Sequence, residues 1–133
     1  MSTLHVRIVT PKGIYKELDT PIINIQTLDG DEGILPNHMP LVTMLKVGHM
    51  TADENGTRET YAIAGGLFYF RDNTAEILTD AIENKNEIDT ERAQKAKERA
   101  ESRIHSSDPS IDLKRAELAL KKAMNRLDVA GLK

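Results

Sequence analysis

The chain has 133 residues and no cysteine, so disulfides and thiolate metal sites are excluded, which fits a reducing cytoplasm. No uninterrupted apolar run approaches the roughly 20 residues that span a bilayer. The N-terminus also lacks the basic-then-apolar layout of a secretion signal. Membrane association is therefore expected to run through partners, without direct insertion. Aromatic residues are scarce at 4 %, and none follows Phe70, which leaves the last third without stacking platforms for nucleic-acid bases. Enzyme signatures are missing too: there is no phosphate-binding Gly-x-x-x-x-Gly-Lys, no Gly-x-Gly-x-x-Gly, no Gly-x-Ser-x-Gly and no His-Glu-x-x-His. His5, His38, His49 and His105 are scattered without metal-ligand spacing, and no metal site is expected. His38, between Pro36 and Pro40, reads as a structural or contact residue of a stiff loop.

Charge, by contrast, is plentiful and unevenly spread. Residues 1–87 carry 7 basic and 13 acidic side chains, a balance of −6, whereas residues 88–133 carry 11 and 8, a balance of +3. A change of sign at one point in a short chain suggests two modules with different partners. The acidic first module disfavours nucleic acid as one of them.

The first 80 or so residues read as short strands between turns. Leu4–Val9 and Pro21–Leu28 alternate apolar with polar, and Leu41–Val47, Thr57–Ala64, Leu67–Arg71 and Thr74–Thr79 follow. Asp29-Gly30, Asn55-Gly56 and Asp72-Asn73 are turn signals, and Gly65-Gly66 reads as a bend or bulge. The expected fold class is α+β in two modules: an N-terminal antiparallel β-sandwich over 1–86, then a two-helix antiparallel hairpin over 87–133. Asp89 is a credible N-cap for a helix from Thr90 to about Ile104. A second helix is expected from about Ile111 to Val129, capped by Asp108 or Ser110 and ended by Gly131. Its seam would be Leu113, Ala116, Leu120, Ala123, Leu127 and Ala130, against Ala93, Ala96, Ala100 and Ile104. So thin a seam predicts a marginal hairpin, able to open.

Each helix also carries a cationic rail. Arg92, Arg99 and Arg103 are spaced by seven and four residues, and Arg115, Lys122 and Arg126 repeat that spacing, so each set shares a helix face. A solvated face is the competing reading, supported by the i,i+4 pairs Glu91–Lys95 and Glu117–Lys121. Two rails lacking acidic partners in their own stripes could instead grip a triphosphate or an acidic protein surface. Glu83 and Asp89 are the nearest carboxylates able to orient an arginine or a ligand. Asp89 reads equally as an N-cap alone, and Glu83 as a solvated strand end. A free-standing ATP-binding sensor or small nucleotide-binding enzyme is the rival function class.

At this point the residues resemble a known family, the epsilon subunit of bacterial F-type ATP synthase. In the first module the likeness rests on Gly33-Ile34-Leu35-Pro36-Asn37-His38-Met39-Pro40-Leu41-Val42 and Ala64-Gly65-Gly66. In the second it rests on Arg115-Ala116-Glu117-Leu118-Ala119-Leu120 and Ala123-Met124-Asn125-Arg126-Leu127. The resemblance implies a non-catalytic rotor subunit, peripheral on the cytoplasmic face of the cell membrane. It would bind the gamma subunit and the c-ring of a proton-driven synthase, with Asp31, Glu32 and His38 in the Gly30–Met39 loop region as contacts. It also implies a regulatory hairpin that extends toward the alpha and beta subunits to block ATP hydrolysis. Bacillus-type members bind ATP in the folded hairpin, and their motif is matched by Ile88-Asp89-Thr90-Glu91-Arg92-Ala93. Further ATP positions are matched at Glu83, Arg99 and Arg126, with Arg103 and Arg115 as additional basic contacts. Lys122 departs from the family, which has arginine there; it keeps the charge but loses the bidentate fork. ATP is thus expected as a regulatory ligand, with no required cofactor, and Mg²⁺ is left open.

Overall fold

Alternating apolar side chains fold the first part of the chain into strands. The computed structural model describes residues 2–132. The strands are β1 (Leu4–Thr10), β2 (Gly13–Thr20), β3 (Ile23–Thr27), β4 (Gly30–Ile34), β5 (Leu41–Glu54), β6 (Thr57–Arg71), β7 (Thr74–Leu78) and β8 (Ile82–Asn84). They form a sheet in the order β2-β1-β7-β6-β5-β3-β4, with β8 also on β6. Pairing is antiparallel except between β1 and β7, which run parallel.

The sandwich arises because two long strands belong to both of its layers. β6 pairs with β8 over Tyr61–Ile63 and with β7 over Leu67–Arg71. The change of partner falls at Gly65 and Gly66, whose φ angles of 84° and 134° few other residues adopt. A Cβ on Gly66 would meet the Leu78 carbonyl oxygen at 2.0 Å, so the close approach of β7 requires glycine there. The two strands read from the sequence as Thr57–Ala64 and Leu67–Arg71 are therefore one strand with a corner. Folded on itself, the sheet encloses Leu4, Val6, Ile8, Ile25, Met50, Phe68, Phe70 and Ile77, all at most 1 % exposed. Each such side chain contributes about 1.5–3 kcal/mol through burial.

Polar bonds close the remaining gaps in this unit. The Thr20 hydroxyl donates to the Asp53 carbonyl at 2.8 Å and accepts from the Asp53 amide at 3.2 Å, joining the end of β2 to β5. Beside it, Lys16 Nζ lies 2.5 Å from Glu54 Oε1, and the Tyr61 hydroxyl donates to Glu54 Oε2 at 2.6 Å. Where the β3–β5 register slips, Gln26 Oε1 accepts from the His49 amide at 2.8 Å and takes the place of a missing ladder bond. Asn55 and Gly56, then Asp72 and Asn73, all have positive φ, as type I′ hairpin turns require.

The chain's second compact unit begins at Lys85, two residues ahead of the change of period read from the sequence. A 3₁₀ turn over Lys85–Glu87 leads to α1 (Thr90–Ile104), and α2 (Leu113–Ala130) follows. Asp89 caps α1, its Oδ1 accepting from the Arg92 amide at 3.0 Å. The cap of α2 is Asp112, which accepts from the Arg115 amide at 3.1 Å, and not Asp108 or Ser110. Asp108 instead accepts from both the amide and the hydroxyl of Ser110, bonds that hold its carboxyl below the usual range. Gly131 ends α2, donating to Leu127 and Asp128. The α1–α2 seam is alanine-lined: Ala93 and Ala100 face Ala116 and Ala123, all at most 3 % exposed. Leu113, expected in that seam, is the first residue of α2 and is 50 % exposed, outside the packed part of the seam.

Candidate functional site

Two places hold the residues singled out from the sequence, one in each unit. In the sandwich, part of the Gly30–Met39 region is a strand. β4 is the last strand of the sheet order, and its exposed Asp31 and Glu32 point to opposite faces of this edge. Both line a polar recess of about 320 Å³, together with His49, Thr51 and Arg58.

The loop that follows is tightly held. Asn37 has φ 65°, and its amide donates to Asn73 Oδ1 at 2.8 Å. Asn73 Nδ2 in turn donates to the Thr3 carbonyl, so one turn residue holds both the loop and the start of β1. His38 rests edge-on against Phe70, with ring centroids 5.9 Å apart. Its Nδ1 lies 2.7 Å from the Met39 carbonyl oxygen and must therefore carry the hydrogen. The loop is thus preformed, and His38 both stiffens it and remains partly accessible.

Next to these polar candidates stand apolar side chains that sequence reasoning did not single out. Leu35, Met39, Val42 and Met44 are all more than half exposed. Val42 and Met44 alternate with Thr43 and the buried Leu45, so they share the outer face of β5. On that face Met44 is paired with Leu67, and Leu67 with Leu78, an apolar row across three strands. The signal was present in the sequence as period-two alternation, but alternation alone does not say which face is covered.

In the helical unit, the motif residues fall at the start of α1. Ile88 is half-buried, Asp89 spends one carboxylate oxygen on the cap, Arg92 is exposed and Ala93 is buried in the seam. Arg99 and Arg103 continue along the same exposed stripe, while on α2 Arg115 is exposed and Lys122 and Arg126 are half-buried. Glu91 and Lys95 form the expected i,i+4 pair at 3.6 Å. Among the described residues, no carboxylate lies within 4 Å of the Arg92, Arg99, Arg103, Arg115 or Lys122 head groups. Glu83 lies on β8, opposite Ala62 of β6, in the other unit.

Helix geometry decides how the two rails relate. At about 100° per residue, each rail sits roughly 90° from its own alanine seam, and on the same rotational side of it. In parallel helices that would put the rails on opposite faces. In an antiparallel pair it puts both on one face, so the hairpin has one cationic side flanking a seam of methyl groups. Such a face attracts an anion able to reach both helices, because like charges held together are relieved by a counter-charge between them.

Comparison with known proteins follows the same division. Residues 3–85 match the family model described as ATP synthase, Delta/Epsilon chain, beta-sandwich domain, and residues 86–131 match the corresponding long alpha-helix domain. The ATP synthase epsilon chain of Halalkalibacterium halodurans is 46 % identical over 132 residues, covering 98 % of this chain and 99 % of that one. That of Bacillus velezensis is 44 % identical over 131 residues, with the same coverage of each. A chain in the cryo-EM structure of Euglena gracilis mitochondrial ATP synthase, OSCP/F1/c-ring in rotational state 1, superposes with a TM-score of 0.79. It is 26 % identical, and the match covers 94 % of this chain and 79 % of that chain.

Proposed function

The chain belongs to the ATP synthase delta/epsilon chain family, and from that premise we propose that it is a non-catalytic, epsilon-type rotor subunit whose hairpin senses ATP. The sandwich would hold the gamma subunit and the c-ring, with the β4 edge and the His38 loop as contacts. Placement is peripheral, on the cytoplasmic side of a proton-driven synthase; among the described residues no helix is long and apolar enough to cross a membrane.

The observation that carries the regulatory part is the pair of rails on one face of a thinly packed hairpin. ATP brings a compact negative charge to Arg92, Arg99, Lys122 and Arg126 and offsets their mutual repulsion, favouring the folded form. The shift it can supply is RT ln(1 + [L]/Kd), about 1.4 kcal/mol when ATP is tenfold above its dissociation constant. A hairpin packed through four alanines is soft enough for that to matter. When ATP falls, the helices open, and the same cations become available to an acidic surface of a beta subunit, which stops hydrolysis. The protein performs no bond-breaking step: its residues bind, neutralise and release.

Calorimetric titration of the full chain with ATP tests the assignment. Arg92→Ala and Arg126→Ala are each expected to weaken binding about tenfold or more, the value of one lost charge-assisted bond, while circular dichroism of the strands stays unchanged. Affinity unchanged from the parent in both variants refutes the site. In the assembled complex, ending the chain at Asn84 should preserve assembly and raise ATP hydrolysis. Failure of the shortened chain to assemble refutes the division of labour.

A further inference from the structure

The end of α2 lacks a feature that most helix ends use. Its last turn contains no basic residue, so the partial negative charge of its terminal carbonyls has no cation of its own. A cation arrives from elsewhere in the same unit. Lys85, half-buried in the 3₁₀ turn before α1, donates its ammonium to the Leu132 carbonyl just past the helix. The approach is not confined to one bond. The 3₁₀ turn packs against α2, and the amide of the half-buried Ile88 closes the turn onto the Lys85 carbonyl. Val129, 1 % exposed, lies roughly 130° around α2 from the alanine seam, so burial at this end of the helix is not confined to that seam.

We infer that Lys85 is a positioning residue for the folded hairpin, a clasp that fastens the end of α2 to the segment preceding α1. In an antiparallel pair the start of α1 and the end of α2 lie together, away from the connecting loop. Arg92 is in the first turn of α1, and Arg126 is five residues before Gly131 ends α2. The clasp therefore holds the end at which the two rails would share an anion, and it does so before any ligand arrives. This role rests on the ATP reading only for its effect on affinity. A ligand that needs the closed form binds in proportion to how much of it is present, so losing the clasp weakens binding without removing a single ligand contact.

The full-length chain with Lys85→Met, which keeps the stem and removes the charge, and Lys85→Arg, which keeps the charge, provides the test. Amide exchange is read at Leu127, Gly131 and Leu132 and in β5 and β6, and ATP affinity is read by calorimetry. Lys85→Met is expected to speed exchange at the end of α2 and to weaken ATP binding about two- to fivefold, the typical range for a cation at a helix C-terminus. The strands should be unaffected, and Lys85→Arg should restore both readouts. Unchanged exchange in Lys85→Met overturns the clasp, as does a Lys85→Arg variant that behaves like Lys85→Met. If the unsubstituted chain binds no ATP, the ligand reading fails on its own, while the exchange measurement still decides the clasp.

Discussion

Single side chains in the sandwich carry two kinds of charge cluster, and they differ in what pH can do to them. His5 lies on β1 opposite the edge strand β2, with Nδ1 2.9 Å from Asp19 and Nε2 3.1 Å from Glu17. Those bonds, Asp19 first, raise its pKa above the ordinary value. A raised folded pKa means that the stabilisation is fully present below the unfolded value of about 6.5 and fades as pH rises through the folded value. The melting temperature of His5→Gln should therefore trail the parent at pH 6 and match it at pH 9. A gap as wide at pH 9 would show that the imidazolium is not the cause. The effect should be small, since His5 and both carboxylates are largely exposed and screened. The Lys16–Glu54–Tyr61 cluster is more enclosed. The Glu54 side chain is 12 % exposed, the bond to Glu54 holds the Lys16 ammonium above its ordinary range, and burial, followed by Glu54, pushes the Tyr61 hydroxyl up to about 12. Glu54→Leu should cost about 2–3 kcal/mol in urea unfolding, less than a fully buried pair because Lys16 retains some water. Adding Lys16→Met should recover part of that loss; a double variant no better than Glu54→Leu alone would mean that packing dominates.

At the scale of elements, what could be read from the sequence depended on whether a segment's neighbours impose a pattern. β1, β3 and β7 each bury one face, so they alternate and were legible. β2 was not: Ile14 is 52 % exposed and Tyr15 is half-buried, because an edge strand has weak demands on either face. β4 was hidden inside Gly-Asp-Glu-Gly, residues that signal a turn and here also form an edge. The cap of α2 was misplaced because Asp108, Ser110 and Asp112 all suit the role, and only the turn bonds of Asp108 decide among them. That distinction is measurable: Asp112→Ala should lower helix content and cost about 1 kcal/mol, whereas Asp108→Ala should leave α2 intact. Equal losses would mean that the turn and the cap act as one unit. The Gly65-Gly66 corner was legible as a bend, though not as the point where one strand changes layer. Gly66→Ala combines a positive φ with a backbone collision, so a loss of at least about 2 kcal/mol is expected in urea unfolding. A variant as stable as the parent would place the corner elsewhere.

Over the whole molecule, the candidate site was legible to the extent that helix period is a local property. The rails and their shared face follow from spacing, whereas Lys85 could not be found that way, since its partner lies 47 residues on and is a backbone carbonyl. The two units also differ in how they are held. The sandwich encloses Phe68, Phe70, Tyr61 and several Ile side chains, while the hairpin buries chiefly alanines and Val129. Alanine adds little apolar area per residue ordered, so the entropy of fixing two helices is offset only narrowly. Regions so built open well below the global unfolding free energy. Amides of Ala100 and Ala123 should accordingly exchange at least about a hundredfold faster than those of Phe68 and Met50, a gap of roughly 2.7 kcal/mol. Saturating ATP should narrow that gap by slowing exchange in the helices alone. Exchange as slow in the helices as in β5 and β6 without ATP would describe a rigid hairpin, too stable for a nucleotide near its dissociation constant to switch.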